Sequence, residues 1–320
     1  LLDVGVDFSL FGDRFSGAFT YYEKTTDDLL QNVPLSTTTG HGSQTMNIGS
    51  VLNKGVEFEF DGQVLKTKDF SFELYGNVAE NRDEVLRLAQ DAAGNDINLD
   101  NSYYTTRVGH PQAQFYLRQW GGVDSADGRP YYKVGGDHRD GPVSDEVTYS
   151  YSAAQQTVQG LRLPPVQGGL GARVRWKGLT LDANLMFATG HKVFERWAWY
   201  TMNSGLRAVY FYQGDQRLMD RWQKPGDVTD VPKMVYSSSS LSGGSGTTSR
   251  FLYDGDFMRL RDLSLNYTLP KSATDAIGFN RVDIFVKGLN LFTWTKDDLP
   301  FDPEVRATGR FRITTPPLKS

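Results

Sequence analysis

The sequence predicts an all-β chain, part of an antiparallel transmembrane β-barrel. Three observations predict it. Two-residue alternation is sustained over runs of about ten residues, the length a tilted strand needs to cross a bilayer. Tight turns and long connections alternate in step with each hairpin, as they do at the two rims of an outer-membrane barrel. Charges collect on the face opposite the apolar one. The composition fits: among 320 residues, 33 are glycine and 13% are aromatic. Mean hydropathy is −0.45, and no apolar run reaches the length of a membrane helix. Barrel strands place only every second residue in lipid, so low mean hydropathy is compatible with a membrane.

The elements follow in order. Val4, Val6, Phe8 and Leu10 share one face against Asp3, Gly5, Asp7 and Ser9. After a Gly12-Asp13 turn, Phe15, Gly17, Phe19 and Tyr21 oppose Ser16, Ala18, Thr20 and Tyr22. Residues 25–53 read as a long polar loop. Val56, Phe58 and Phe60 then oppose Glu57, Glu59 and Asp61. A turn at Lys66-Asp69 leads to Phe70, Phe72 and Leu74 against Ser71, Glu73 and Tyr75. Residues 82–168 form the next long connection, and the pattern leaves open whether they add a strand pair. Leu170, Ala172, Val174 and Trp176 oppose Arg173, Arg175 and Lys177; a Lys177-Gly178 turn follows, then Leu179 to Phe187. A third long connection covers 190–255. Two last strands, within 251–270 and from Val282, flank a medium turn at 270–280. Eight strands are clear.

So many inward charges (Glu57, Glu59, Glu73, Arg173 and Arg175 foremost) imply a wide barrel with a wet or plugged lumen, because small barrels fill their interiors with packed side chains. A soluble sandwich also alternates. Strand length and the repeated turn pattern favour the membrane barrel over it.

Signals for chemistry are weak. The chain has no cysteine and a net charge of −4, which removes thiolate metal sites and gives no sign of a nucleic-acid partner. His41, His110, His138 and His191 are scattered over expected loops without metal-ligand spacing, and read as solvated. Asp124, Asp127 and Gly128 carry only part of a calcium-loop spacing and read as a turn. Asp27-Asp28 and Asp297-Asp298 read as solvated rim rather than a glycosidase pair, which needs carboxyls fixed across a cleft. Neither a nucleophile elbow nor a phosphate loop is present, so no enzyme activity and no cofactor are expected. Trp197, Trp199, Tyr200, Tyr210, Phe211 and Tyr212 crowd one loop. They could bind sugar rings or a partner's surface, or pack on one another.

Several stretches, taken in order, resemble SusC/RagA-type TonB-dependent outer-membrane transporters. Asn53, Gly55 and Glu57 match an N-x-G-x-E strand start. Gly121-Gly122-Val123-Asp124 with Asp127-Gly128-Arg129-Pro130, Pro164-Pro165 with Gly168-Gly169-Leu170, and Trp222 to Asp227 match further segments. Gly255, Phe257, Arg259, Leu260, Leu263, Leu265, Tyr267, Leu269 and Pro270 match a late strand signature, and Asn290, Asp302, Pro303 and Glu304 follow.

The resemblance implies a barrel of about 22 strands around an N-terminal plug. It implies import of oligosaccharide or peptide under a SusD-like surface lipoprotein, with energy from TonB, in the outer membrane of a Gram-negative bacterium. On this reading residues 1–320 are a C-terminal barrel segment, without the plug and the final strand. Leu1 opens directly in a strand pattern, so an export signal lies upstream on a longer chain or the protein is not exported. A passive porin-like barrel or a barrel adhesin stays open as an alternative, as does a soluble carbohydrate-binding sandwich.

One stretch breaks phase. In residues 251–270, Leu263, Leu265 and Tyr267 share the apolar face, but continuing the alternation upward puts Arg261 and Arg259 there too. Either the strand leaves the hydrocarbon between Leu263 and Arg261, or a bulge resets it. The first is the expectation, since strands of wide barrels overshoot the bilayer.

Overall fold

The computed structural model describes residues 1–320 except 36–39, 92, 136–144, 203–213, 237–246, 298 and 305–320. Eight long strands form one sheet in chain order, each antiparallel to the next: β1 (Leu2–Leu10), β2 (Phe15–Pro34), β3 (Ser43–Lys66), β4 (Phe70–Arg87), β5 (Val166–Trp176), β6 (Leu179–Thr189), β7 (Phe257–Thr268) and β8 (Asp283–Thr295). They form one sheet rather than two facing layers, so the sandwich alternative has no counterpart here. Among the described residues β1 and β8 do not pair, and the sheet stays open.

Register makes the two faces continuous. Val6, Phe19, Phe58, Val78, Gly168, Phe187, Met258 and Trp294 are successive cross-strand partners, one apolar row over all eight strands. The next row is Asp7, Ala18, Glu59, Asn77, Gly169, Met186, Arg259 and Thr293. Directly paired residues share a face, so one side of the wall is apolar and the other largely polar. Val4, Val6, Phe19, Leu170, Trp176, Leu181, Leu265, Ile284 and Val286 are all exposed.

Glycine and aromatic richness has one cause in the wall. Phe8 faces Gly17, Phe15 faces Gly62, Tyr22 faces Gly55, Phe60 faces Gly76, Tyr75 faces Gly171 and Phe187 faces Gly168 as direct cross-strand partners. In each pair the ring occupies the space that a Cβ on the glycine would take. The ring thus covers the partner's bare backbone.

The structure corrects two expectations and shows what two connections contain. Residues 25–53 are mostly paired: β2 continues to Pro34 and β3 starts at Ser43. Register shifts at Thr26/Leu29 and Leu29/Leu30, with Asp28 at φ 58°, scramble the alternation that would have revealed this. Asp27 and Asp28 therefore lie within a strand. The medium turn holds a short helix, Lys271–Ala276. The connection between β4 and β5 adds no strand to the wall and builds two small sheets of its own, from 104–105, 114–118 and 156–160 and from 120–123, 130–133 and 147–148.

The second correction concerns the phase break. Asn184 pairs with Asp262 and Leu185 with Leu260, so Arg261 is an extra residue in β7. Opposite it, pairing with β8 jumps from Asp262↔Leu289 to Leu260↔Phe292. Asn290 there adopts φ 52°, a left-handed conformation that Asn tolerates better than most residues. The bulge puts Leu260 and Met258 on the apolar face and Arg259 on the polar one. The apolar face therefore continues past Arg261 instead of ending below it.

The largest buried hydrophobic cluster belongs to the connections, not the wall. Phe115, Leu117, Phe194, Ala198, Met202, Leu218, Val231 and Phe251 pack together beneath Tyr103, Tyr104 and Leu252. The strand pair 192–194 and 252–254 ties the connection after β6 into this body.

Gly55 shows how tightly the wall strands meet. A Cβ there would lie 2.3 Å from the Glu80 carbonyl oxygen and 2.6 Å from the Tyr22 hydroxyl. Gly55→Ala is expected to destabilise the barrel by about 1–3 kcal/mol. Gly42→Ala, with nothing within 4 Å, is expected to be neutral. The temperature of the gel-mobility shift of the folded barrel measures both in the full-length protein.

Candidate functional site

Two regions can contact a solute: the polar face of the wall and the folded connections above it. On the polar face, a charge ladder crosses β4 to β8. Arg173 Nε donates to Asp182 at 2.6 Å and its Nη1 to Glu73 at 3.3 Å, while Arg175 Nη1 reaches Glu73 at 2.8 Å. The Tyr75 hydroxyl lies 2.9 Å from Asp182 and 2.8 Å from Asn184. Asn184 donates to Asp262 at 3.1 Å, and Lys287 Nζ stands 3.9 Å from the same carboxylate. This sector neutralises itself.

Glu73, Arg173 and Arg175 thus form one network. Glu57 and Glu59 share their face but stand apart on β3, opposite Thr20 and Ala18 of β2. With Asp3, Asp7 and Asp61 they make the β1–β3 sector acidic. The two sectors meet at an open depression of about 720 Å³, lined by Asp7, Glu59, Asp61, Tyr75 and Arg173 among others.

The connections hold the aromatics. Trp197 caps the short helix Ala198–Thr201, and its ring lies 5.6 Å from that of Tyr200 at 41°. Trp199 belongs to the same helix. Tyr210, Phe211 and Tyr212 lie outside the described residues, as do His138 and Asp298. The sequence did not single out Arg217, which clamps this region. Its guanidinium meets Glu195 at 2.6 Å and Asp215 at 2.7 Å, and donates to the Tyr253 hydroxyl at 3.3 Å. Asp215 and Glu195 hold the guanidinium proton more firmly than usual. Burial, with Glu195 alongside, pushes the Tyr253 phenol up to about 12. A pair of acids flanking an arginine was visible in the sequence only as scattered charge.

Arg250 was likewise missed. Its side chain is 3% exposed, between the rings of Trp120 at 5.0 Å and Phe251 at 4.9 Å. Burial pushes its guanidinium pKa below the usual value, against the pull of Asp230. The stack joins the two long connections.

Two motif stretches lock together here. Trp222 lies over Gly128, where a Cβ would meet the indole at 2.5 Å, and its Nε1 donates to the Ser125 carbonyl at 3.0 Å. Asp127 and Asp124 accept backbone N–H groups of Arg129 and Ala126, so this stretch is a turn. Asp227 accepts from the N–H groups of Gln223 and Lys224.

At the loop bases, His191 is buried, contrary to the solvated reading. Gly255 brings backbone against its ring: a Cβ there would lie 2.6 Å from His191 Nε2. Burial pushes the imidazole below its ordinary pKa, while Asp256 and Asp254 pull the other way. Asp297 is no solvated rim either, since it accepts the Asp254 N–H at 2.5 Å. The sequence could not pair residues so far apart along the chain.

Tyr267 and Pro270 end β7 at the tight-turn rim, where Phe70, Trp176, Leu179, Tyr267 and Ile284 make a cross-strand row. Arg259, Asp302 and Glu304 join in one ion cluster: Arg259 Nη2 meets Asp302 at 2.7 Å and Nη1 bonds Glu304. Pro303 lies between the two acids. Among the described residues no group of His, Asp and Glu is arranged to hold a metal.

Residues 2–291 match the family model described as TonB dependent receptor-like, beta-barrel. The chain belongs to the TonB-dependent receptor β-barrel family. It is 28% identical over 318 residues to TonB-dependent receptor P3 of Formosa agariphila, matching 95% of this chain and 30% of that protein. It is 33% identical over 138 residues to TonB-dependent receptor SusC of Bacteroides thetaiotaomicron, 40% of this chain and 14% of that one. In structure it is similar to the RagAB peptide importer in its "open-open" state, with a TM-score of 0.76, 29% identity and coverage of 96% of this chain and 32% of the other. The chain thus spans about a third of the length of TonB-dependent receptor P3 and of the RagAB importer chain. The SusC/RagA resemblance read from its motifs holds, and with it the outer-membrane β-barrel class.

The loop bases of this receptor segment are expected to respond to pH through Asp254. Burial would raise the Asp254 carboxyl, but Lys296, the Asp256 N–H and Lys192 outweigh it and hold it at about 2, below the ordinary 3.8. Its folded pKa is depressed, so its contribution is complete above about pH 4 and is lost as pH falls toward 2. Pepsin cleavage within 190–256 is expected to rise over that window. Asp254→Asn should flatten the rise and give a looser connection at neutral pH.

Proposed function

We propose that the protein is the barrel-wall portion of an active outer-membrane importer of the SusC/RagA kind, in a Gram-negative bacterium. The apolar row across all eight strands carries the reading. An exposed band of this sort on a single sheet suits lipid and nothing aqueous. Between Tyr267 and Met258 the strand climbs roughly 30 Å, or about 23 Å in height at a ~40° tilt, close to the ~25 Å apolar band of such barrels. Tyr267 and Trp176 suit the lower aromatic girdle and Trp294 the upper one.

The polar face then lines the lumen. Glu57, Glu59, Glu73, Arg173 and Arg175 tune its polarity, and the self-neutralised β4–β8 sector leaves the β1–β3 sector acidic. Cargo is an oligosaccharide or a peptide. It is held under a SusD-like surface lipoprotein and released inward when TonB pulls a plug carried by another part of the protein. Trp197, Trp199, Tyr200, Tyr210 and Tyr212 would contact cargo or lipoprotein at the outer mouth. The chain needs no catalytic group or cofactor for this work.

The test uses the full-length protein in its own outer membrane, with uptake of labelled oligosaccharide and peptide pools. Uptake of one pool is expected to stop on deletion of the receptor, of TonB or of the partner lipoprotein. Uptake that survives loss of TonB favours a passive porin-like barrel instead. Recovery of the protein in the soluble fraction without detergent overturns the membrane assignment.

A further inference from the structure

The connection after β8 does not run away from the sheet. Residues 296–297 and 299–304 turn back over the polar face and are held at three points. At the top, Lys296 Nζ meets Asp254 at 2.7 Å, and its N–H donates to the Asp256 carbonyl at 3.1 Å. The Phe301 ring meets Tyr253 of the folded connections edge-on at 5.9 Å. At the bottom, Asp302 and Glu304 bind Arg259, and Glu304 also binds Arg261 at 3.0 Å. The Glu304 N–H donates to Asp302 Oδ1 at 2.9 Å, which fixes the turn between the two acids.

The side of the wall is set by register. Arg259 stands in the polar row and donates through Nε to Thr293, its cross-strand partner, at 2.9 Å. The chain leaves β8 at Thr295 and by Glu304 has come back down level with Thr293, on the polar side. The bulge makes this possible. Without the extra residue Arg261, Arg259 would face the apolar side and the segment would lose its anchor.

We propose that the stretch pinned by Lys296, Phe301, Asp302 and Glu304 forms an inward-folded strap that narrows the passage beside β7 and limits the bulk of solute able to pass this sector. The proposal rests on the reading of the polar face as lumen. The strap is fixed, not fraying. Arg259 is 3% exposed, and a buried guanidinium stripped of its carboxylates is far costlier than a broken surface pair. Two arginines against two carboxylates also leave the cluster neutral, so it is held without another partner. Tyr253 belongs to both the Arg217 clamp and the strap, which ties the strap to the folded connections above.

Thiol accessibility tests it. These 320 residues contain no cysteine, so single cysteines can be placed on the polar face of the full-length receptor once any cysteine elsewhere in it is replaced by serine. Ser264→Cys lies below the strap and Ala18→Cys lies far from it on β2. Each is labelled in intact outer membranes with N-ethylmaleimide and with a bulky polyethylene-glycol maleimide.

In the parent, Ser264→Cys is expected to react with the small reagent and resist the bulky one. Adding Asp302→Asn with Glu304→Gln should raise the bulky-reagent rate there at least about tenfold, as expected when a buried ion cluster is broken. The small-reagent rate and the Ala18→Cys site should not change, and Glu304→Asp should keep the shielding. Should the double variant fail to assemble, judged by its gel-mobility shift, Glu304→Gln alone replaces it. An unchanged ratio of bulky- to small-reagent rates at Ser264→Cys in the double variant overturns the strap. Equal reaction of both sites with both reagents in the parent overturns the lumen reading itself.

Discussion

The whole wall depends on keeping side-chain phase across eight paired strands. A slip of one residue turns every apolar group to the wrong side. The chain meets this constraint with bulges, and the one at Arg261 matters most. It inserts one residue where β7 passes between β6 and β8. Below it Leu263, Leu265 and Tyr267 face one way; above it Leu260 and Met258 continue that face, and Arg259 turns to the other side. Asn290 on β8 takes the left-handed conformation that lets the neighbouring strand follow. The apolar band, the polar row and the strap anchor all rest on that single insertion.

Much of the wall was legible in the sequence because its signal is local. Val56, Phe58 and Phe60 against Glu57, Glu59 and Asp61 need no partner to reveal a two-faced strand. Legibility ended where phase was reset. Residues 25–34 and 43–53 pair throughout most of their length, yet Asp28 and the nearby shifts break their pattern. No continuous apolar stripe marks those stretches either, and Val51 packs instead with Val85 and Leu88 from distant parts of the chain. Arg261 is the same failure in one residue: alternation alone cannot tell a bulge from an exit into water, because both put a charge where an apolar group is due.

The connections were illegible for a different reason. Their core joins Phe115 and Leu117 to Phe194, Leu218, Val231 and Phe251, residues that no local pattern groups. Their strands are short, and their ties run between distant segments: Arg217 to Glu195, Arg250 to Trp120, Trp222 to Gly128. A membrane wall cannot bury its apolar side chains within itself, so the packed interior moves to the parts standing in water. His191 was misjudged on this account. A histidine between strands reads as solvated until the fold presses Gly255 against its ring.

The motif residues turn out to be solutions to geometry. Gly55 admits Tyr22 and the Glu80 backbone, Gly255 admits His191, and Gly128 admits Trp222. Asn290 supplies a backbone conformation, and Arg259 with Asp302 and Glu304 closes a strap. None of these contacts depends on what passes through the barrel. A chain can therefore carry the full set and still differ from its relatives in cargo. On the importer reading proposed above, cargo contact falls to residues outside this set, such as the outer aromatics around Trp197, while the strap acts on bulk alone. The motifs fix the frame that holds those residues in place.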